Sequence, residues 1–348
     1  MWFLDTWRRL RRAASRNEWA VRLLRLPHAD GPADTPGLVL IQVDGLSQTQ
    51  FERAMVLRQM PFLSRMLRQE RYDLRTLYSG VPSATPAVQG ELFYGVRGAV
   101  PSFRFRDHQT GRSCRMFDPW PAAMVQARLG GQGRGLLEGG SAYCDIFSGE
   151  AAEPHFCPSE FGWGRLWRGI RPVRFTGFLL LYVDSAIRVL AMMAIEFLVA
   201  LLDCARGLIG RRHLGKELGM VPSRVAVGIL LRELLTIGAT IDTARGLPVI
   251  HLNFLGYDEQ SHRRGPASAF AHWSLKGIDR SIRRIWRASQ RSRRRSYQVW
   301  IYSDHGQLRT VSYAETMGKT VEQAVAEVFE QPVEAPEPPD GLPPSGNQ

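Results

Sequence analysis

Three short segments each place a carboxylate, two of them with an imidazole, directly after an apolar run. Val43-Asp44-Gly45 follows Leu38-Val39-Leu40-Ile41-Gln42, and Gly256-Tyr257-Asp258-Glu259-Gln260-Ser261-His262 follows Leu247-Pro248-Val249-Ile250-His251-Leu252-Asn253-Phe254. Tyr302-Ser303-Asp304-His305-Gly306 closes the third run, Tyr297 to Tyr302. A lone aspartate at a strand end is usually a helix cap. Asp258 and His262 stand four residues apart, close enough to face one side of a turn and hold one divalent cation. Adjacent Asp304 and His305 leave a strand tip, and Gly306 lets the backbone turn tightly beside a metal. Carboxylate with imidazole is the ligand set of zinc, or of manganese where oxygen ligands dominate. Each segment alone has a bland reading; the three in order, each after its own strand and with a Thr-Pro loop after the first, predict a metal centre.

Apolar runs of this length, bounded by turn residues, predict buried strands. A helix is expected after Gly45, another from Met60-Pro61, a strand over Arg75 to Ser79, and an amphipathic helix over Ser268 to Ser289 with Trp273, Ile278, Ile282, Ile285 and Trp286 on one face. Residues 98–162 are dense in Gly, Pro, Ser and aromatics and are expected to form long active-site loops or an insertion. Strand–helix alternation with acids at strand ends predicts an α/β fold on a mostly parallel sheet, with chemistry at the carboxyl ends of the strands. The chain divides into a basic amphipathic N-terminal segment (1–30), a first catalytic part (36–160), a helical apolar insertion (161–243), a second catalytic part (244–330) and a Pro-rich tail (331–348) whose composition predicts disorder.

The loop Pro82-Ser83-Ala84-Thr85-Pro86-Ala87-Val88-Gln89-Gly90-Glu91-Leu92-Phe93-Tyr94-Gly95, taken with the three acidic segments, resembles the nucleotide pyrophosphatase/phosphodiesterase branch of the alkaline phosphatase superfamily. The resemblance covers residues near 38–107 and 246–325. It implies an α/β/α sandwich of alkaline-phosphatase type and Thr85 as nucleophile at a helix start, with Ser83 as the fallback. It also implies two divalent metal ions, zinc or manganese. Asp44, Asp304 and His305 would hold the one that also contacts Thr85, and Asp258 and His262 would give two of three ligands for the other. The implied activity is hydrolysis of phosphate esters, diesters or pyrophosphates before monoesters, through a phospho-threonine. Two positions depart from the family. No histidine follows His305 to supply the third ligand of the Asp258/His262 metal, which leaves a truncated or divergent C-terminus, His272, His251 or water. Phe103 stands near where the family places a phosphate-binding asparagine, so Ser102, Arg104 or Arg106 would take that role. The alternatives are a catalytically impaired, membrane-associated scaffold member and a transferase of phospho-headgroups.

Phe175 to Leu202 is the most apolar stretch, interrupted by Asp184, Arg188 and Glu196, each costing about 2.5–3.5 kcal/mol at a bilayer centre. Asp184 and Arg188, at i and i+4, would partly neutralise each other. A single crossing would separate Thr85 from Asp258, so the insert is expected either to cross twice, with Val225 to Ile241 as the return leg, or to form a cap or interfacial helix. Trp7, Leu10 and Ala14 among five arginines predict an interfacial N-terminal helix or an ordinary surface helix. Together these readings place the protein at the bacterial-type inner membrane with its catalytic domain on the cytoplasmic side, or in the cytoplasm. The net charge of +12 comes from arginines, with only three lysines, and is scattered outside the run Arg291 to Arg295. Specific nucleic-acid binding is not expected. Cys114, Cys144, Cys157 and Cys204 have no metal-site spacing and are read as reduced thiols.

Overall fold

The central apolar runs pair as strands because they are apolar on both faces, the pattern of a parallel strand covered on each side. The computed structural model describes residues 15–29, 35–131, 133–160, 172–209, 226–311 and 313–329. Strand β1 (Gly37–Val43) is followed by helices α2 (Gln48–Val56), α3 (Pro61–Arg68) and α4 (Thr85–Tyr94); α1 (Arg16–Leu24) precedes it. A hairpin of β2 (Arg104–Arg106) and β3 (Ser113–Arg115), helix α5 (Pro119–Gly130), and strands β4 (Ser141–Tyr143) and β5 (Glu153–His155) come next. Helices α6 (Pro172–Leu181) and α7 (Val183–Ile209), a π-helical turn at Ala226–Leu231, and α8 (Arg232–Arg245) lead into β6 (Val249–Phe254). Helices α9 (Gly256–Arg264) and α10 (Ala269–Ser289), strand β7 (Tyr297–Tyr302), and α11 (Tyr313–Met317) and α12 (Val321–Phe329) complete the described chain.

The fold is α/β: a five-stranded parallel sheet in the order β5-β4-β6-β1-β7, flanked by helices. β1 lies between β6 and β7, with Val43 opposite Phe254 and Gln42 opposite Tyr302. Central β6 is buried at Ile250, His251, Leu252, Asn253 and Phe254, whereas edge strand β7 alternates, with Trp300 facing out. Each fully buried Ile or Leu here contributes about 1.5–3 kcal/mol. Helix α10 follows the expected periodicity and buries Leu275, Ile278, Ile282 and Ile285 against that sheet. Its Asp279 reaches across to accept from the N–H groups of Phe62 (2.9 Å) and Leu63 (3.0 Å), capping α3, whose own N-cap Met60 has no side chain able to do so.

Several expectations need correction. Arg75 to Ser79 is irregular, not a strand. The 98–162 region is not loop alone: it supplies α5, the β2–β3 hairpin and two strands of the main sheet. Those strands are three residues long, too short for periodicity to register. β4 reaches β6 only because Gly140 precedes it; a Cβ there would stand 2.0 Å from the Val249 carbonyl oxygen. Val225 to Ile241 is not the return leg of a membrane hairpin. Its helical part, α8, packs in the core with Leu235, Ile237, Ala239 and Ile241 buried. Among the described residues no helix is long and apolar enough to cross a membrane. Arg188 does meet Asp184, at 3.0 Å. Within the basic run, Arg295 is buried and donates to the carbonyls of Gly246 (3.1 Å) and Thr35 (3.0 Å), a role in holding backbone. Cys114, Cys144 and Cys157 are free thiols, the first and last buried and Cys144 partly so. The interfacial helix expected near Trp7, Leu10 and Ala14 and the tail at 331–348 lie outside the described residues.

On the β5 side, Arg245 is almost wholly buried, bonded in a fork to Glu153 (Nη1 to Oε2 at 2.6 Å) and to Asp242 at 3.0 Å. That fork holds the Glu153 carboxyl at about 2, well below its ordinary 4.5. A depressed carboxylate pKa gives stability that is present above 4.5 and lost as pH falls toward 2. Glu153→Gln is therefore expected to lower unfolding free energy by about 1–3 kcal/mol at neutral pH. In urea titrations the difference from wild type should shrink at pH 3; an unchanged gap would assign the loss to packing instead.

Candidate metal centre

Register brings the acids together. Gln42 is level with Tyr302, so two residues further on Asp44 and Asp304 leave the carboxyl ends of β1 and β7 side by side. In parallel α/β sheets this end is the usual place for chemistry. Both side chains are buried, Asp304 completely. His305 Nε2 lies 3.3 Å from Asp44 Oδ1 and 3.7 Å from Asp304 Oδ2. One ligand atom from each of the three falls within 4.8 Å of the others. Asp304 Oδ1 accepts from the Gly45 N–H at 3.4 Å, but its buried Oδ2 has no hydrogen-bond partner among the described residues. An unpaired, dehydrated carboxylate oxygen is costly unless a cation meets it. Two carboxylates and one imidazole around such an atom fit a divalent metal of the zinc or manganese type.

Thr85 is the first residue of α4, and its Oγ1 stands 3.3 Å from Asp44 Oδ1 and 3.4 Å from His305 Nε2. The fallback hydroxyl is elsewhere: Ser83 is exposed and its Oγ pairs with Ser79 Oγ at 2.7 Å. Helix α4 is pinned to the sheet one turn further on. Gln89 donates to Gln42 Oε1 and Asp145 Oδ1, both at 3.1 Å, and accepts from the Ile146 N–H at 2.7 Å. Tyr302 donates to the same Gln42 oxygen at 3.1 Å.

Burial first, and then the neighbouring Asp304 charge, lifts the Asp44 carboxyl to about 7. His305 is disfavoured as a cation by burial, yet its hydrogen bond to Asp44 and the charges of Asp304 and Asp44 outweigh that and raise it to about 9. A cation entering the cluster must displace these protons, so its affinity climbs with pH across this range.

Asp258 and His262 sit at i and i+4 on α9, with Nε2 3.2 Å from Oδ2; this hydrogen bond raises the His262 pKa. Asp258 lies against Gly45: a Cβ at that residue would stand 2.2 Å from Asp258 Oδ1, and its φ of +69° already excludes most side chains. Its charge also raises the pKa of Asp44 and of His305. The second pair therefore borders the first cluster, but among the described residues no third His, Cys, Asp or Glu joins it within ligand distance. Both expected stand-ins are bonded elsewhere, although His272 keeps an unbonded Nδ1 among the described residues. His272 is buried, with Nε2 on Gln50 Oε1 at 2.8 Å. His251 is buried between Asp145 (2.8 Å) and the Tyr302 hydroxyl (2.7 Å).

Ser102, Arg104 and Arg106 lie on or beside the β2–β3 hairpin, exposed or half-exposed. Ser102 donates to the Arg104 carbonyl, and Arg106 donates to the Gly111 carbonyl at 3.0 Å. Among the described residues none of the three bonds to Thr85 or the acidic cluster. Two residues absent from the expected set do touch it. Asn253 Nδ2 donates to Asp44 Oδ2 at 3.0 Å, and Gln307 Nε2 donates to Asp258 Oδ1. An asparagine inside a mostly apolar strand was the available signal for the first; nothing short of the fold marks the second.

No family model matches this chain, and no curated protein matches it.

Proposed function

We propose that this protein is a metal-dependent hydrolase of phosphate esters, of the alkaline-phosphatase type in fold as well as chemistry, with Thr85 as nucleophile. The observation that carries the reading is the Thr85 hydroxyl set at a helix start against the Asp44, Asp304 and His305 cluster. A divalent cation held by those three side chains would supply positive charge beside the Thr85 oxygen and the phosphoryl group. The chain's own groups do the rest. Asn253 fixes the Asp44 carboxylate, and Gln89 fixes the helix that presents Thr85. The N-terminal end of α4 favours a bound anion. Thr85 Oγ1 attacks phosphorus, its proton passing to Asp44 Oδ1, the carboxylate in reach; the ester alcohol departs with the bonding pair and takes a proton from water. Water then cleaves the phospho-threonine, restoring the hydroxyl and releasing phosphate or its monoester. Diesters are the preferred substrates on the family resemblance.

Purified protein loaded with zinc or manganese is expected to release nitrophenol from a nitrophenyl phosphodiester. A folded, metal-loaded sample that turns over neither diester nor monoester defeats the reading. One observation favours a second reading, a binding member of the same superfamily with impaired catalysis: the Asp258/His262 pair has no third ligand among the described residues. Metal analysis separates the two. About two ions per chain supports a two-metal hydrolase, and one ion without turnover supports the binding protein.

A further inference from the structure

Among the described residues, helix α7 leaves a strongly apolar flank uncovered. Val183, Ile187, Leu190, Ile195, Phe197 and Leu198 are each about half exposed or more, and Leu230 and Leu234 continue the strip onto the body of the protein. Apolar surface on this scale marks a partner or a lipid phase. Beside it, between α7, α8 and α10, lies a cleft of about 200 Å³ with two kinds of wall. Val189, Met192 and Trp273 form the apolar side, and Arg188, Lys276 and Arg280 bring positive charge. The acid in the cleft, Glu233, is already neutralised by Arg284 at 2.6 Å, and Arg188 is shared with Asp184. Lys276 and Arg280, one turn apart on α10 and exposed, have no carboxylate bonded to them among the described residues.

We propose that this protein docks on a bilayer carrying anionic headgroups, with the apolar flank of α7 in the interface and the Lys276/Arg280 cleft on the phosphate layer. The pairing of apolar side chains with adjacent unneutralised cations is what an interfacial helix needs: burial gives the attraction, and the anionic surface adds to it.

Flotation with vesicles tests the proposal without any turnover, so it stands or falls apart from the hydrolase reading. Full-length protein is expected to bind vesicles of phosphatidylglycerol mixed with phosphatidylcholine at least about tenfold more tightly than pure phosphatidylcholine, and to weaken in about 0.5 M salt. Ile187→Glu with Leu190→Glu, and separately Lys276→Glu with Arg280→Glu, should each cut binding about tenfold, read on variants whose thermal midpoints match wild type. Binding that survives both pairs places the contact elsewhere and overturns the proposal. So does equal binding to both vesicle types. Self-association that is lost in Ile187→Glu/Leu190→Glu, with no vesicle binding by wild type, assigns the face to a second copy and overturns it as well.

Discussion

Thr85→Ala is expected to reduce turnover of a nitrophenyl phosphodiester by at least about a thousandfold while leaving metal content unchanged. Removing a covalent nucleophile forfeits the split of one hard step into two easier ones, and what remains is the binding and charge of the site. The change removes the hydroxyl with its contacts to Asp44 and His305, together with one buried methyl. Helix α4 keeps its anchorage through Gln89, so the unfolding free energy should move by less than about 1 kcal/mol. Thr85→Ser retains the oxygen and should retain most of the rate. Denaturing wild type during turnover and locating phosphate on Thr85 gives an independent readout. Equal turnover by wild type and Thr85→Ala would move the nucleophile to water and remove the phospho-threonine from the proposed pathway.

The second large effect changes sign with metal. In metal-free protein, Asp304 is a fully buried carboxylate with one oxygen unpartnered, close enough to Asp44 to help raise it to about 7. A carboxyl whose folded pKa is raised weakens the folded state as pH climbs from its ordinary value, 3.8, through 7. His305 acts in the same direction above that: raised to about 9, it gives stability that is complete below 6.5 and lost as pH rises through 9. At pH 8 with a chelator, Asp304→Asn removes the like charge and still offers an oxygen to the Gly45 N–H. It should therefore be more stable than wild type by about 1–3 kcal/mol. With zinc or manganese at about a hundred times its dissociation constant, wild type gains about 2.7 kcal/mol by mass action, and the variant gains little. The order of stabilities then reverses. Urea titrations of both proteins, with chelator and with metal, decide it. A variant less stable than wild type under both conditions would show that Asp304 serves packing and hydrogen bonding, not a cation.

Asp44, Asp304 and His305 were legible because each stands directly after an apolar run, and a buried parallel strand advertises itself by continuous apolarity. Helix α10 was legible for a similar reason: its buried positions repeat at 3 and 4. Strands β4 and β5 were not, since three residues hold no period and their pairing depends on Gly140 lying under Val249. The core position of α8 was hidden as well, because an apolar segment reads alike whether protein or lipid covers it. The cap that Asp279 places on α3, 216 or more residues earlier in the chain, has no local signature at all.

Residue types and their order along the chain thus determined the candidate chemistry: which carboxylates, which imidazoles, which hydroxyl. Tertiary structure decided how many of them meet. Strand register sets Asp44 level with Asp304 and turns His305 and Thr85 onto them, while the Asp258/His262 pair stays beside that cluster with two donors of its own. The division has a physical cause. Side-chain chemistry is a property of each residue and is written locally, whereas coordination needs atoms a few ångströms apart, and that spacing arises only when strands more than two hundred residues distant in sequence pair edge to edge.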